Sequence, residues 1–339
     1  MYRKRKTDIL KVCISAVLAT AFVLLIWMLK NPRFQDISLT LFASAVIAFF
    51  AEIILLTVLK GKNPIKRAIK IILLFIINIT VFSSAVIISF APAVILQPHS
   101  DDVSYESLKK ANEADEITFE GKSGSINGWF YNIAGESAPT VLYFYGNYET
   151  ASSGLFNLIE NYDTSAFSGC NFAVFDYPAY GKSEGKCTDD SILAFSLDVY
   201  DELIKITDNI IVLGYSVGTG PACYLASERD VDSLILYAPY ADGTDLYNNV
   251  IDIFHGPMKK LVTFNIDTVA NAASVRCPVL ILASDEDELI PYESSLKLCD
   301  KFGGICTFIK IPEITHNQFF TSSLVKHETA KFIEEVTAK

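Results

Sequence analysis

Three side-chain types in this sequence, a serine, a carboxylate and a histidine, have the settings that nucleophilic acyl transfer needs. Ser216 lies in Gly214-Tyr215-Ser216-Val217-Gly218, after the apolar run 210–213 and before the segment 221–226. That reads as buried strand, sharp turn and helix, the arrangement of a nucleophile elbow. Small residues are needed on both sides because neighbouring backbone and the following helix approach a serine held on a strained turn. A serine hydroxyl is a weak nucleophile until a base takes its proton. Among the four histidines, His99 stands in a polar linker, His255 in an irregular insertion and His327 on the exposed side of the last helix. His316 alone follows directly on a core strand, and it is the candidate base. The candidate acids stand in Ser284-Asp285-Glu286-Asp287-Glu288, also just beyond a strand. Asp285 and Asp287 point the same way if the segment is extended, so periodicity leaves both open.

The elements that must hold these groups alternate along the chain. Segments 116–120 and 126–133 form an opening hairpin; 140–145, 171–177, 210–213, 233–237, 278–283 and 307–311 read as strands. Helices are expected over 189–206, capped by Thr188, and near 221–227, 292–299 and 324–336. Such alternation predicts the α/β class, a mostly parallel sheet with helices on both faces. Reacting groups then gather at the carboxyl ends of the strands. The order serine, aspartate, histidine is that of a hydrolase with a nucleophile elbow, and differs from the chymotrypsin-like and subtilisin-like orders. Between about 239 and 276 the alternation breaks, giving a lid-like insertion with Phe254, His255 and Phe264.

Before this domain the composition changes. Of 339 residues 51% are hydrophobic, and the excess lies in apolar runs at 12–29, 37–59 and 71–96. Each approaches or exceeds the ~18–20 residues that cross a bilayer as helix, which predicts three transmembrane helices. The first run follows the basic Arg3, Lys4, Arg5 and Lys6 but exceeds the usual signal-peptide core of about 7–15 residues. Residues 1–97 are therefore expected to be a membrane anchor, 98–115 a polar linker, and 116–339 the catalytic domain. Lys and Arg crowd the N-terminus and the second loop (Lys60, Lys62, Lys66, Arg67, Lys70), which puts those segments in the cytoplasm and the domain on the extracytoplasmic face. Within the spans Glu52 is the one acid and Asn78 the notable amide; Pro92 marks a kink.

Charge excludes some functions. The chain has 28 basic and 39 acidic residues, of which 12 and 3 stand in residues 1–100, leaving 16 basic and 36 acidic beyond. So acidic a domain offers no track for nucleic acid. No Cys-x-x-Cys or histidine cluster has metal-ligand spacing, so neither metal nor cofactor is expected. Among seven cysteines, Cys170 with Cys187 and Cys299 with Cys306 are the sequence-near pairs, either disulfides or small buried hydrophobes.

Several separated segments carry a resemblance: Leu142 to Asn147, Phe175-Asp176-Tyr177-Pro178-Ala179-Tyr180-Gly181-Lys182-Ser183-Glu184-Gly185, the elbow with Thr219-Gly220-Pro221, Asp287 to Pro291, and His316. With these the soluble part resembles the α/β-hydrolase superfamily, most closely its membrane-associated serine hydrolases of the abhydrolase-domain type. The resemblance implies the α/β-hydrolase fold and selects Asp287, four residues before the proline, as the acid. It implies an oxyanion hole of backbone N–H groups from Val217 and from Asn147 or its neighbour Tyr148. It departs at Tyr145, where the family commonly has His, and at Ser284, where it commonly has Gly. The implied activity is cleavage of a carboxylic ester or thioester of acyl or lipid-like character by Ser216, His316 and Asp287. A membrane-anchored serine peptidase, or a catalytically idle binding module, is the alternative.

Overall fold

The computed structural model describes residues 95–339 except 112, 113, 163, 251, 253, 257, 258, 260, 261, 263 and 339, together with residues 65, 68, 69, 72 and 76. The chain divides into two compact units, Met1–Val94 and Ile95–Lys339. The expected membrane spans fall almost entirely outside the described residues, as do Glu52, Asn78 and Pro92. Among the described residues no helix is long and apolar enough to cross a membrane.

Five runs without a polar face build the centre of the second unit: β3 (Thr140–Phe144), β4 (Asn171–Phe175), β5 (Ile210–Tyr215), β6 (Ser233–Tyr237) and β7 (Val279–Ser284), every residue of which is buried. Continuous apolar runs of this kind suit strands covered on both faces. β1 (Asp115–Gly121), β2 (Gly124–Tyr131) and β8 (Cys306–Ile311) complete an eight-stranded sheet in the order β1-β2-β4-β3-β5-β6-β7-β8. β1 pairs with β2, and β2 with β4, antiparallel; every later pair is parallel. The expected α/β sheet and opening hairpin are therefore both present. The edge strands β1 and β8 consist of exposed and half-covered residues apart from the buried Ile311 at the end of β8, as strands with one open side do.

Crossover helices connect the parallel strands. α1 (Asp102–Ala111) precedes the sheet, α2 (Ala151–Phe156) follows β3, and α3 (Asp189–Leu203) follows β4. Thr188 caps α3 as expected: its side chain accepts from the Ser191 N–H while the Ser191 hydroxyl takes the Thr188 N–H. α4 (Thr219–Glu228) starts two residues before Pro221, directly from the turn that carries Ser216. α5 (Gly243–Val250) and α6 (Thr268–Ala272) belong to the insertion; α7 (Tyr292–Phe302) and α8 (Ser323–Thr337) close the fold.

Two segments differ from their sequence appearance. The polar stretch 98–115 contains α1, whose Tyr105 and Leu108 stand one turn apart and are buried. The Tyr105 ring packs on Trp129, and its hydroxyl meets Glu116. Polar composition hid this because only one narrow stripe of the helix is apolar. In the insertion, where the alternation breaks down in the sequence, Tyr240, Tyr247, Phe254, Phe264 and Ile266 are buried. Hydrogen bonds from Asn265 N to Asp189 and from Ala241 N to Ser294 seat it on α3 and α7.

Cys299 at the end of α7 is bonded to Cys306 at the start of β8, whereas Cys170 and Cys187 are free. The pair seven residues apart spans one helix-to-strand reversal that brings the two sulfurs together. Cys170 is buried beside the turn before β4, where desolvation pushes its thiol up to about 11.

Candidate active site

β5 delivers Ser216 to the carboxyl edge of the sheet, and the backbone turns there sharply. Ser216 has φ 54°, in the left-handed region that costs a non-glycine residue about 1–3 kcal/mol. The flanking glycines show what the turn requires. A Cβ on Gly214 would press against Thr219 Cα and Ala222 Cβ at 2.8 Å, and one on Gly218 would enter the carbonyls of Phe144 and Tyr145. The Thr219 hydroxyl donates to the Ser216 carbonyl at 2.6 Å, tying the elbow to the first turn of α4.

His316 opens a short helical turn after β8 and is held on every side. Its backbone N–H donates to Glu288 Oε2 at 3.2 Å, and its carbonyl accepts from the Tyr215 hydroxyl at 2.8 Å. The imidazole stacks on the Tyr215 ring with centroids 5.2 Å apart. Its Nε2 lies 2.9 Å from Ser216 Oγ, and its Nδ1 lies 2.8 Å from Asp287 Oδ2. An ionised carboxylate only accepts, so the proton facing Asp287 sits on Nδ1, leaving the Nε2 lone pair for the serine hydroxyl. Asp287 Oδ1 also accepts the backbone N–H groups of Leu289 and Ile290, each at 2.8 Å. These donors face the charged carboxylate and fix its rotamer.

Of the two aspartates left open by periodicity, Asp287 is the one that meets His316. Asp285 turns outward to Lys310, whose hydrogen bond holds the Asp285 carboxyl below its usual range. Ser284, the unexpected residue at a family glycine, has a visible use. Its hydroxyl donates to the Ile314 carbonyl at 2.7 Å and accepts the Glu286 N–H at 3.1 Å, joining the Asp287 turn to the strand end that carries His316.

Val217 lies in the turn after Ser216, and Asn147 with Tyr148 in the turn after β3. The second turn passes close over the elbow: a Cβ on Gly146 would lie 3.7 Å from Ser216 Cβ and 3.1 Å from the Tyr215 ring. Tyr145, the departure from the family histidine, is fully buried in a reciprocal pair with Tyr177. The Tyr145 hydroxyl accepts the Tyr177 N–H at 3.0 Å, the Tyr177 hydroxyl donates to the Tyr145 carbonyl at 3.0 Å, and the rings stand 4.4 Å apart. Behind the same turn Glu149 takes hydrogen bonds from Tyr143 and Asn157, and burial pushes its carboxyl upward against them. Asp176, at the end of β4, accepts the N–H groups of Ala151 and Lys182. Burial pushes that carboxyl up to about 6. Residue types alone assigned no role to Tyr177, Glu149 or Glu288. Tyr145 and Ser284, standing where the family commonly has His and Gly, were the two signals of this kind.

The remaining histidines stand apart from this chain of bonds. His99 hydrogen-bonds through Nδ1 to the Gln97 carbonyl, His255 pairs with Asp252 in the insertion, and His327 is exposed on α8. Among the described residues no group of three or more His, Cys, Asp or Glu could hold a metal ion. A 510 Å³ groove bounded by Tyr131, Ile133, Leu158, Phe167 and Cys170 shares no residue with the bonds around Ser216.

No protein-family model matches the chain. It is 25% identical over 221 residues to lysophosphatidylserine lipase ABHD12 of Xenopus tropicalis, covering 60% of this chain and 56% of that protein. It is also 25% identical over 170 residues to the α/β-hydrolase domain-containing protein aho-3 of Caenorhabditis elegans, covering 49% of each. The chain thus spans about half the length of these curated relatives. Among solved structures, the Pyrococcus furiosus esterase Pf2001 superposes with a TM-score of 0.56 at 17% identity, covering 71% of this chain and 97% of that one. A putative hydrolase from Agrobacterium vitis gives 0.53 at 20% identity, covering 66% and 98%. These two likenesses concern the fold.

Proposed function

We propose that this chain, which is similar to α/β-hydrolase-domain proteins over about half of their length, is a membrane-anchored serine hydrolase of acyl esters or thioesters. The observation that carries the reading is the unbroken series Asp287, His316, Ser216, with links of 2.8 and 2.9 Å and the serine at a positive φ. In this mechanism Ser216 Oγ attacks the acyl carbon as its proton passes to His316 Nε2. Asp287 stabilises the resulting imidazolium and keeps the ring in its working tautomer. The developing oxyanion is received by the N–H of Val217 and that of Asn147 or Tyr148. His316 then returns the proton to the departing alcohol or thiol. A water deprotonated by the same Nε2 releases the acyl group and regenerates Ser216.

A lipid-like, uncharged or weakly charged acyl substrate suits the surroundings. Tyr148 and Leu289, each adjacent in sequence to a residue of this machinery, are large apolar residues exposed at 72% and 45%. The domain's acidic surplus disfavours polyanions. The Xenopus relative is named a lysophosphatidylserine lipase, which points to an acyl ester with a lipid tail.

Placement on the extracytoplasmic face rests on the three apolar runs and on the basic residues that keep the N-terminus inside. The Cys299–Cys306 disulfide agrees with an oxidising compartment. One experiment tests activity and placement together: cells carrying the full chain are treated with a membrane-impermeant fluorophosphonate probe. Labelling of the intact cells that is lost in Ser216→Ala is expected. Labelling that persists in that variant would refute the nucleophile, and labelling that appears only after lysis would refute the topology.

A further inference from the structure

The first residues of the second unit lead straight to the loop above Ser216. Ile95 and Leu96 are buried, and the Gln97 that follows reaches both loops by its N–H groups while its carbonyl meets His99 Nδ1. Its backbone N–H lies 2.9 Å from Asn147 Oδ1 and 2.9 Å from the Tyr180 hydroxyl, and its side-chain amide donates to the Tyr148 hydroxyl at 3.2 Å. Two residues on, the His99 carbonyl accepts the Gly181 N–H at 2.8 Å, and the His99 ring meets Tyr180 edge-on at 5.9 Å. The strap is therefore stitched to both loops beside the elbow, the one after β3 and the one after β4. Its far end is anchored as well. In α1, the Tyr105 ring carries Lys182 Nζ 3.1 Å from its centroid, and the Ser104 hydroxyl caps back to Asp101.

We propose that Gln97 is a positioning residue for the oxyanion turn, and that the strap 95–99 is a working part of the active site. The inference rests on the serine-hydrolase reading and deepens it. The turn after β3 must present a backbone N–H to the oxyanion within a few tenths of an ångström. Turns of this kind are set by whatever bonds their side chains and carbonyls. Here both candidate donor residues, Asn147 and Tyr148, have their side chains engaged by Gln97, whereas none of the bonds among Asp287, His316 and Ser216 involves the strap. Loss of the strap's grip should therefore weaken oxyanion stabilisation and leave proton transfer intact.

The test uses the full-length chain in detergent micelles with a p-nitrophenyl acyl ester. Gln97→Pro removes the backbone donor and the side-chain amide together. It is expected to lower kcat about 10- to 100-fold, less than the ~100- to 1000-fold that follows complete removal of a donor. KM should change less than about threefold, and the pH midpoint of kcat/KM should stay in place. Gln97→Glu keeps the backbone N–H and can accept from the Tyr148 hydroxyl, and should retain nearly wild-type kcat. If Gln97→Pro melts at a clearly lower temperature, the exposed pair decides. Gln97→Ala should lower kcat about threefold in the wild-type background and have no further effect in Tyr148→Phe. A folded Gln97→Pro with kcat within twofold of wild type, or additive effects in the Gln97/Tyr148 cycle, would overturn the proposal. Absence of any Ser216-dependent hydrolysis in the unmutated chain would instead overturn the serine-hydrolase reading, and the strap's role with it.

Discussion

The two flanks of Ser216 are built from different materials. On the side of β7 and β8, charged groups meet head to tail: Asp287 faces His316, Glu288 takes the His316 N–H, and Ser284 ties the two loops. On the side of β3 and β4, neutral hydroxyls and amides join the parts nearest Ser216, Tyr145 with Tyr177 and Tyr180 and Asn147 with Gln97, while the carboxyls of Glu149 and Asp176 brace the turns from behind. On the proposed serine-hydrolase reading, the difference follows from the task. Moving a proton needs side chains of particular acidity, whereas receiving an oxyanion needs only backbone N–H groups in the right place. The first flank is thus specified by residue type and the second by packing.

Substitutions can break or sharpen this contrast. On the charged flank, Asp287→Asn keeps the shape but leaves His316 without its carboxylate. By analogy with the serine-protease triad it should cut kcat about 10⁴-fold with little change in melting temperature, measured by initial rates and thermal denaturation. On the aromatic flank the balance should reverse. Tyr145→Phe strands the buried Tyr177 N–H at a cost of about 1–3 kcal/mol, lowering Tm by roughly 5 °C, while kcat falls far less than in Asp287→Asn. A Tyr145→Phe protein that melts normally would show that the Tyr145–Tyr177 pair is not what holds the turn. The smallest effect is expected at Ser284. Ser284→Ala removes only the links to Ile314 and Glu286, so kcat should drop less than about tenfold with KM unchanged, because Asp287 keeps its own donors from Leu289 and Ile290.

The same contrast explains what could be read from residues alone. Ser216 is legible because it follows an apolar run that ends abruptly in a Gly-x-Ser-x-Gly turn, and His316 because it stands in the loop just beyond a strand. The five central strands are legible because nothing polar interrupts them. Asp285 and Asp287 could not be separated by alternation, since the choice depends on which carboxylate Lys310 draws outward, a contact across β7 and β8. Gln97 was invisible for a deeper reason. A backbone N–H exists at every non-proline residue, and its partner at Asn147 is fifty positions away. The composition of 98–115 suggested only a polar connector, although two apolar residues one turn apart are enough to dock α1.

The two borders of the sheet remain: among the described residues β1 and β8 each pair with a strand on one side only, and an edge of that kind is a template for pairing with another chain. β1 carries Asp115, Glu116 and Glu120 along its seven residues, and β8 carries Lys310, with its first residue tethered to α7 through Cys306. Charges on an exposed border discourage edge-to-edge association, and the tether keeps β8 from peeling away to offer β7 as a fresh template. Material made under reducing conditions would lack the second safeguard, and clumping rather than misfolding is the failure to watch for when this chain is produced.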